Sequence, residues 1–423
     1  MQSERRTKIV SLCLVVLTVA TFSIMGVVLV APAGAASPSE AVHLFALSNI
    51  LQPLKKGGQG GGGHGGGGGS TPTAPATSPP YSPSQIRAAY GYSQTYNGAG
   101  ETIAIIDAYG SPSIQNDLNY FDAAYGLPSI TISIVKLGGH ISRNAGWALE
   151  TSLDVEWAHV MAPAANIVLI ETSSASSSML ITTAIGYAVN TTHANVISMS
   201  WGMAESQMTS AQIASYDTTL QYAAQHGSIL VAASGDSGAN DGTSAPTVNF
   251  PAASPYVVGV GGTTLNIAVS GGVTTYTRTA WNSSGGGVSA YFNEPAYQSG
   301  SGIQLTGRGV PDVSYDANPN TGVWIYDTTT YEGLSGWIGV GGTSAGAPQW
   351  SAIFADGNQY QQGAALSGVA VLNALYSAYS SSSYTSAFHD ITSGYNGYYS
   401  AGPGYDEVTG IGSPDVANLL PLL

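Results

Sequence analysis

The sequence predicts an α/β fold in which a central, mostly parallel sheet is covered by helices on both faces. Short apolar runs alternate with segments of helical periodicity, and this alternation is typical of parallel strands buried on both sides. Apolar runs of strand length occupy 102–107, 166–171, 195–200 and 228–233, and helical patterns lie near 112–124, 147–160, 178–189 and 209–226. A chain of 423 residues is long enough to enclose such a core.

Polar residues follow the ends of three of these predicted strands. Asp107, Ser200 and Asp236 each stand at or just past the end of an apolar run. The carboxyl ends of parallel strands share one edge of a sheet, and active sites of such sheets form at that edge. We therefore expect these side chains to border a common site.

Residues 341–352, with the sequence GGTSAGAPQWSA, place a serine among small residues at a predicted helix start. Pro348 fits the first turn of a helix, so Ser344 would lie beside unpaired N–H groups at the positive helix end. Such groups can stabilise the oxyanion that forms when a nucleophile attacks an amide. Ser344 is a candidate nucleophile, and the ordinary alternative is a serine that only caps the helix.

Two acids lie four residues apart on the helix predicted at 147–160. Glu150 and Asp154 share one stripe of this helix, where like charges repel. No basic residue occurs from position 144 to position 277 to offset that repulsion. A close carboxyl pair shares one proton and raises one pKa, which gives a general base that works in acid. The alternative is an exposed acidic edge of a helix.

A third acid follows the apolar run at 228–233. Asp236 stands between glycines in the segment SGDSG, where an aspartate ordinarily serves as a turn or cap residue. Its functional role would be a hydrogen-bond donor to an oxyanion. That role requires a protonated carboxyl, and hence low pH or apolar surroundings.

The composition excludes one class of partner. Charged residues make up 8% of the chain, and the formal net charge is −14. From position 81 onward the basic residues are Arg87, Lys136, Arg143, Arg278 and Arg308. Nucleic-acid binding needs a basic surface, which this chain does not provide. Few ionisable groups also mean a small loss of stability with pH, which favours an acidic exterior over plain compositional bias.

The N-terminal 80 residues have the composition of targeting and linker segments. In residues 1–35, basic residues precede an apolar run at 9–30 and a small-residue cleavage pattern, which indicates an export signal. The apolar run could also span a bilayer as a retained anchor. Residues 36–80 form a short pro or linker segment, Gly-rich and then Ser/Thr/Pro-rich, and residues 81–423 form the predicted catalytic domain. Because Cys13 is the only cysteine, the folded part holds no disulfide.

Taken together, these motifs resemble the sedolisin family of serine-carboxyl peptidases, which includes kumamolisin-like enzymes and tripeptidyl peptidases. The likeness runs from about residue 81 to the C-terminus. Its segments are Glu150-x-x-x-Asp154, Gly341-Gly342-Thr343-Ser344, Ser234-Gly235-Asp236-Ser237-Gly238, Ser200-Trp201-Gly202, Phe250-Pro251-Ala252, Gly285-Gly286-Gly287 and Pro311-Asp312-Val313-Ser314. The resemblance implies a subtilisin-like, three-layer α/β/α fold in which a glutamate replaces the catalytic histidine.

The resemblance also implies a role for each site residue. Ser344 attacks the peptide carbonyl, and Glu150 accepts its proton and later passes it to the leaving amine. Asp154 orients Glu150 and shares its proton, while Asp236 donates to the oxyanion. The chemistry is consistent with acid, because a histidine would be charged and unable to act as a base near pH 3–4.

A calcium site near the C-terminus is implied by the same resemblance. One Ca²⁺ would be held by the carboxylates of Asp390 and Asp406 and by the backbone carbonyls of Ile391, Gly402 and Gly404. These are hard oxygen ligands of the kind that calcium prefers. Without the resemblance, the segment is a glycine-rich turn that carries two aspartates.

The sequence departs from the family in the N-terminal region, since no segment before residue 81 is long enough for a large folded propeptide. Asp107 also resembles the strand-end aspartate of true subtilisins, but a histidine in the matching context is missing. His140 lies in a predicted loop, and His159 lies off the face of Glu150. In some sedolisins an acid at the position of Asp107 extends the carboxyl network toward a tryptophan, here Trp201.

These observations predict an exported, acid-active serine-carboxyl endopeptidase that acts on proteins or peptides. It would be an extracellular or cell-surface monomer, with membrane attachment possible through the N-terminal apolar run. The alternatives are a tripeptidyl-peptidase, a neutral subtilisin-type protease and a catalytically inactive surface protein that uses the fold for binding.

Overall fold

The computed structural model describes residues 43–44, 72–93, 95–362 and 366–423. The chain divides into two compact units, Met1–Ser37 and Pro38–Leu423. The predicted export signal or anchor at 1–35 and the glycine tract of the linker lie outside the described residues. In the ranges that are described, no helix combines the length and the apolar character needed to cross a bilayer.

The strands include two long hairpins and several two-residue ladders. They are β1 (His43–Leu44), β2 (Thr102–Ala108), β3 (Ser133–Leu137), β4 (Asn166–Thr172), β5 (Val196–Met199), β6 (Trp201–Ala204), β7 (Ile229–Ala233), β8 (Asn249–Phe250), β9 (Val257–Ser270), β10 (Val273–Ala280), β11 (Gly287–Val288), β12 (Gly309–Val310), β13 (Val313–Asp316), β14 (Val323–Tyr331), β15 (Leu334–Val340), β16 (Phe388–His389) and β17 (Ser413–Pro414).

Parallel pairing dominates the central sheet. Its strand order is β10-β9-β7-β5-β2-β4-β3, and β13 also pairs with β9. Only the β9–β10 hairpin is antiparallel within this sheet as described. The strands predicted from apolar runs are β2, β4, β5 and β7, which form its centre, because runs without polar alternation are stable only when both faces are buried.

Helices cover both faces of this sheet. The α-helices are α1 (Pro83–Ala89), α2 (Ile114–Tyr125), α3 (Ala145–Met161), α4 (Ser210–Gln225), α5 (Ala296–Ser299), α6 (Gly346–Gln361), α7 (Val369–Tyr379), α8 (Tyr384–Ala387) and α9 (Val416–Leu419). The helix predicted near 178–189 is wound instead as two π-helical segments, Ser178–Ile185 and Ala188–Thr192.

Alternation along β2 divides the core into two layers. Ile103 and Ile105 pack into the cluster that contains α3 and α6, whereas Ala104 and Ile106 pack into the cluster that contains α4 and the π-helical segments. Successive side chains of a strand point to opposite faces, so each layer takes every second residue. The predicted three-layer α/β/α fold is confirmed.

Helix α3 lies at the centre of one layer. Its N-cap, Asn144, accepts a hydrogen bond from the backbone N–H of Trp147, and every residue from Gly146 to Met161 is buried. It packs against α2, α6, β14 and the sheet. A helix buried on every side belongs to the interior of a large domain, so each of its charged residues lies inside the protein.

The two-residue strand β1 lies beside β6, outside the central sheet. The two strands pair antiparallel, with His43 opposite Gly202 and Leu44 opposite Trp201. On its other side β6 pairs with β8. A segment from the N-terminal region therefore runs along the strand that directly follows Ser200.

Candidate active site

Ser344 stands in a tight turn between β15 and α6. The turn covers Thr343–Ala345, and Gly342 before it has φ +100°, a conformation that favours glycine. Ser344 is fully buried, and its hydroxyl donates to the backbone oxygen of Ser200 at 3.2 Å. The cap position of α6 is Ala345, without a side-chain cap bond. Ser344 is therefore not the helix cap that the ordinary alternative would require.

One face of α3 carries two acids, and one of them is linked to this serine. Glu150 and Asp154 are both completely buried, which rules out an exposed acidic helix edge. The hydroxyl of Ser200 donates to Oδ1 of Asp154 at 2.8 Å. Since the backbone oxygen of Ser200 accepts from Ser344, one residue connects the candidate nucleophile to the carboxyl pair.

Burial keeps Asp154 in its protonated form over a wide pH range. Desolvation raises the pKa of Asp154 well above its usual range, and the charges of Asp107 and Glu150 raise it further. The hydrogen bond from Ser200 acts in the opposite direction. Several carboxyls of the site can thus share a proton at a pH at which an imidazole would already be charged.

Asp236 contacts the same turn. It lies shortly after the end of β7, and its Oδ1 accepts from the backbone N–H of Thr343 at 2.7 Å and from the hydroxyl of Thr343 at 2.8 Å. Asp236 is 6% exposed, so its carboxyl is nearly dry. Gly235 has φ +117°, and its N–H donates to the Thr343 hydroxyl at 3.1 Å. This geometry fixes the carboxyl one residue from the candidate nucleophile.

The expected link between Asp107 and Trp201 is absent from the described structure. The indole N–H of Trp201 donates to the backbone oxygen of Ile106 at 2.7 Å. An indole has one donor, so it cannot also serve the carboxyl of Asp107. Asp107 itself is fully buried, and desolvation raises its pKa to about 7.

Glu171 is an acid of this region that the sequence analysis did not single out. It lies opposite Asp107 in the ladder of β2 and β4 and is 2% exposed. Its side chain accepts from the backbone N–H of Ser111 at 2.9 Å. The signal that could have identified Glu171 is its position: it stands at the end of an apolar run, as Asp107 does in its own strand.

His159 does not face the candidate nucleophile. Its Nε2 lies 2.7 Å from the backbone oxygen of Pro128 and 3.3 Å from Oδ1 of Asp122. His159 is completely buried, and desolvation lowers its pKa. Its contacts on α2 and the following loop make it a core residue, in agreement with its place off the face of Glu150.

The predicted calcium ligands come together around one loop. Both carboxylate oxygens of Asp390 accept from the backbone N–H of Gly404 at 3.1 Å, and Oδ2 of Asp406 accepts from Gly402 at 3.2 Å. Ile391 is adjacent to Asp390 and buried. Burial raises the pKa of Asp406 to about 6. These oxygen donors fit a hard cation, although the described residues contain no group of three or more His, Cys, Asp and Glu suited to a metal.

Comparisons with known proteins agree with this architecture. A profile of the subtilase family matches residues 71–387. Kumamolisin from Bacillus sp. (strain MN-32) is 35% identical over 374 residues, which cover 81% of this chain and 63% of kumamolisin. Sedolisin from Pseudomonas sp. (strain 101) is 31% identical over 378 residues, which cover 82% of this chain and 62% of sedolisin.

A solved structure gives the same relationship in three dimensions. Pseudomonas sedolisin, a serine-carboxyl proteinase complexed with two molecules of pseudo-iodotyrostatin, superposes with a TM-score of 0.72 at 31% identity. The match covers 80% of this chain and 96% of that chain.

The fold is that of a subtilisin-like peptidase. The chain belongs to the subtilase family, in its sedolisin group. It spans about three fifths of the length of the two curated relatives, 63% of one and 62% of the other.

Proposed function

We propose that this protein is an exported, acid-active serine-carboxyl endopeptidase that cleaves proteins or peptides through an acyl-enzyme. Ser344 is the nucleophile, and Glu150 is its general base. Asp154 orients Glu150 and shares its proton. Asp236 is the donor to the oxyanion.

The bridge formed by Ser200 carries this proposal. Its backbone oxygen accepts from the Ser344 hydroxyl at 3.2 Å, and its own hydroxyl donates to Asp154 at 2.8 Å. All three residues are fully buried. A nucleophilic hydroxyl and a carboxyl pair held at one dry point are the groups that acyl transfer in acid requires.

The pairing of β1 with β6 supports a peptide as the substrate. An extended backbone, His43–Leu44, forms an antiparallel ladder with Trp201 and Gly202, next to the bridging Ser200. Any extended peptide can use the same backbone groups, since a ladder does not depend on side chains. The cleft edge can therefore bind a substrate strand beside the nucleophile.

The reaction then follows from the positions of these groups. Oγ of Ser344 attacks the carbonyl carbon while Glu150 takes its proton, and the oxyanion is stabilised by the backbone N–H of Ser344 and the protonated carboxyl of Asp236. Glu150 returns the proton to the leaving amine, and the C–N bond breaks. Water, deprotonated by Glu150, hydrolyses the acyl-enzyme and releases the second product.

Calcium would act on structure rather than on the chemistry. Asp390 and Asp406, with carbonyls of the loop around Gly402 and Gly404, would hold one ion and fix that loop. Incubation with a chelator is expected to lower the melting temperature of wild type by several degrees, and addition of Ca²⁺ to restore it. Asp406→Asn should abolish the effect of added Ca²⁺; an unchanged melting temperature in all cases would remove calcium from the proposal.

Digestion of a peptide library from about pH 2 to about pH 8 tests the activity and its acid dependence together. Wild type should cleave best in acid, and Ser344→Ala should show no cleavage above background. Ser351→Ala is the matched control, because Ser351 is also a buried serine near the start of α6 and only donates to the backbone oxygen of Ala347. Activity in Ser344→Ala, or an optimum at neutral pH, would contradict the proposal.

The mode of cleavage needs a separate comparison. The same peptides are tested with free and with acetylated N-termini. An endopeptidase cleaves both forms at internal bonds, whereas a tripeptidyl-peptidase releases three-residue products and requires the free amine. Cleavage restricted to free N-termini would replace the endopeptidase proposal with the exopeptidase alternative.

A further inference from the structure

Three neighbouring strands carry charged residues in one row at the carboxyl edge of the sheet. Asp107 on β2 lies opposite Glu171 on β4, and Glu171 lies opposite Lys136 on β3. Because paired residues of parallel strands in register point to the same face, the three side chains share one face of the sheet. The row runs from the protein surface to the carboxyl pair on α3.

Glu171 is held between a surface cation and the buried interior. Its Oε2 lies 3.7 Å from Nζ of Lys136, and Oε1 accepts from the backbone N–H of Ser111 at 2.9 Å. The side chain of Lys136 is 61% exposed, that of Glu171 only 2%. Lys136 is also the only lysine from residue 81 onward, so its position next to a buried acid is a specific feature of this chain.

Asp107 faces Glu171 on one side and Asp154 on the other, and its carboxyl is poorly supplied with donors. Neither carboxyl oxygen has a hydrogen-bond partner among the described residues; the hydroxyl of Thr151 acts to lower the pKa of Asp107, but it donates at 2.8 Å to the backbone oxygen of Trp147. A buried carboxylate with so little support is costly, so the neutral acid is the favoured form. Burial raises its pKa to about 7, and the charge of Glu171 adds to that rise.

We propose that Glu171, held from the surface by Lys136, is a positioning residue that acts on Asp154 through Asp107. Its negative charge adds to the burial that keeps the proton on Asp107, and the neutral Asp107 leaves Asp154 free to share its own proton with Glu150 alone. This inference rests on the proposed function, since it describes the control of that same carboxyl pair.

The other charged groups around Asp107 are consistent with this role. Helix α3 presents Glu150 and Asp154, β4 presents Glu171, and β3 adds Lys136 behind it. Arg143 lies on the loop before α3, where its backbone pairs with Gly110, and its side chain is exposed. Every buried neighbour of Asp107 in this set is an acid. A negative Asp107 would therefore raise the pKa of Asp154.

The test uses two substitutions with opposite electrostatic effects. Glu171→Gln removes a negative charge, so Asp107 should lose its proton at lower pH. The basic limb of the pH profile, where kcat/KM falls as the pH rises, should therefore move to lower pH by about one unit. Lys136→Met removes the charge that offsets Glu171, so the limb should move up by a few tenths of a unit, because Lys136 is largely in solvent. Lys136→Arg keeps the charge and should leave the profile unchanged.

The decisive experiment introduces Glu171→Gln into a protein that already carries Asp107→Asn. If Glu171 acts through Asp107, adding Glu171→Gln to Asp107→Asn should produce no further shift of the basic limb. A shift of equal size in both backgrounds, or shifts of the same direction for Glu171→Gln and Lys136→Met, would overturn the proposal and leave Glu171 with a packing role only.

An infrared titration gives a readout that does not need activity. The carbonyl band of a protonated buried carboxyl that disappears in Asp107→Asn identifies Asp107, and its midpoint should fall in Glu171→Gln. If wild type hydrolyses nothing but this midpoint still moves, the proposed function fails while the coupling stands. An unmoved midpoint in a hydrolytically active enzyme overturns the coupling alone.

Discussion

The two faces of α3 both carry buried acids, yet they meet different surroundings. On one face Asp154 accepts from Ser200, which in turn accepts from the candidate nucleophile Ser344. On the other face Glu156 accepts from the backbone N–H of Tyr326 at 3.0 Å. Both acids are fully buried, and burial raises the pKa of both well above the usual range.

The second face is a set of core contacts between α3, α2 and β14. Asp122 on α2 lies 3.3 Å from His159, and burial raises the pKa of Asp122 to about 7. Asp117 accepts from the hydroxyl of Thr328 at 2.8 Å. Glu156 and Asp117 accept from backbone and hydroxyl donors, and Asp122 faces the imidazole of His159.

The comparison shows that a buried carboxyl with a raised pKa does not by itself define a catalytic site. Such groups often occur in active sites, but structural networks perturb pKa values as well. The first face is distinguished by its link through Ser200 to Ser344, a serine in the tight turn that follows Gly342. The faces should therefore respond differently to the same substitution.

The largest difference in kcat between the two faces is expected when Glu150→Gln is compared with Glu156→Gln. Removal of a general base should lower kcat by about 10²- to 10⁴-fold, with the melting temperature at acid pH little changed. Glu156→Gln should leave kcat within about a factor of three, since Glu156 contacts only core groups. The measurement is kcat at the acid optimum for both purified variants.

Two outcomes would reverse this assignment. If Glu156→Gln lost as much activity as Glu150→Gln while remaining folded, the two faces would act as one network. If Glu150→Gln retained wild-type kcat and the wild-type pH profile, Glu150 would not be the base.

Substitutions of Asp236 are expected to lower kcat by an intermediate amount, and they test the group proposed to act on the oxyanion beside the first face. Asp236→Ala should lower kcat by about 10²- to 10³-fold, the usual cost of a lost oxyanion donor. Asp236→Asn should lose less, because an amide can still donate a hydrogen bond to the oxyanion. The kcat values of both variants at the acid optimum check this expectation.

A wild-type kcat in both variants would remove Asp236 from the oxyanion site. Equal losses in Asp236→Asn and Asp236→Ala would indicate that Asp236 mainly holds the turn through Thr343. The melting temperatures of the two variants separate these outcomes, because a broken turn contact lowers stability as well as rate.

The sequence predicted the first face far better than its surroundings. The spacing of Glu150 and Asp154 follows from helical geometry, and apolar runs located the central strands. Glu171 was missed because its partnership with Asp107 depends on strand order, which periodicity does not contain. Glu156 lies two residues from Asp154 in a helix buried all round, so the sequence alone did not indicate which acid contacts Ser200 and which contacts core groups.

The helix predicted near 178–189 shows the same limit. Its apolar pattern predicted a helical segment, but Ser178–Ile185 is a π-helix. Helix propensity does not specify that winding, which depends on contacts with the rest of the fold. Similarly, nothing in the residues around His43 predicted that this segment would pair with β6. Local patterns identify elements, and contacts between distant segments decide how those elements are used.

The smallest expected effect concerns stability as a function of pH. The folded protein raises the pKa of Asp107 and Asp122 to about 7 and that of Asp327 to about 6. These carboxyls keep protons that the unfolded chain releases near pH 4, so their stabilisation is complete below about pH 4 and is lost as the pH rises toward 7. The free energy of unfolding should fall by about 1.4 kcal/mol per pH unit for each net proton in that window.

Two histidines, one buried and one half-buried, act in the opposite direction, which makes the sign testable. The pKa of His159 and of His389 is lowered, so each contributes stability above about pH 6.5 that is lost in acid. The carboxyls with raised pKa outnumber these histidines, so the free energy of unfolding should still fall from about pH 4 to about pH 7.

Glu156→Gln removes one of the titrating acids. The free energy of unfolding should then depend less steeply on pH, while the pH–rate profile should stay the same. Denaturant unfolding of wild type and Glu156→Gln across this range decides the point, and a wild type more stable at neutral than at acid pH would contradict it.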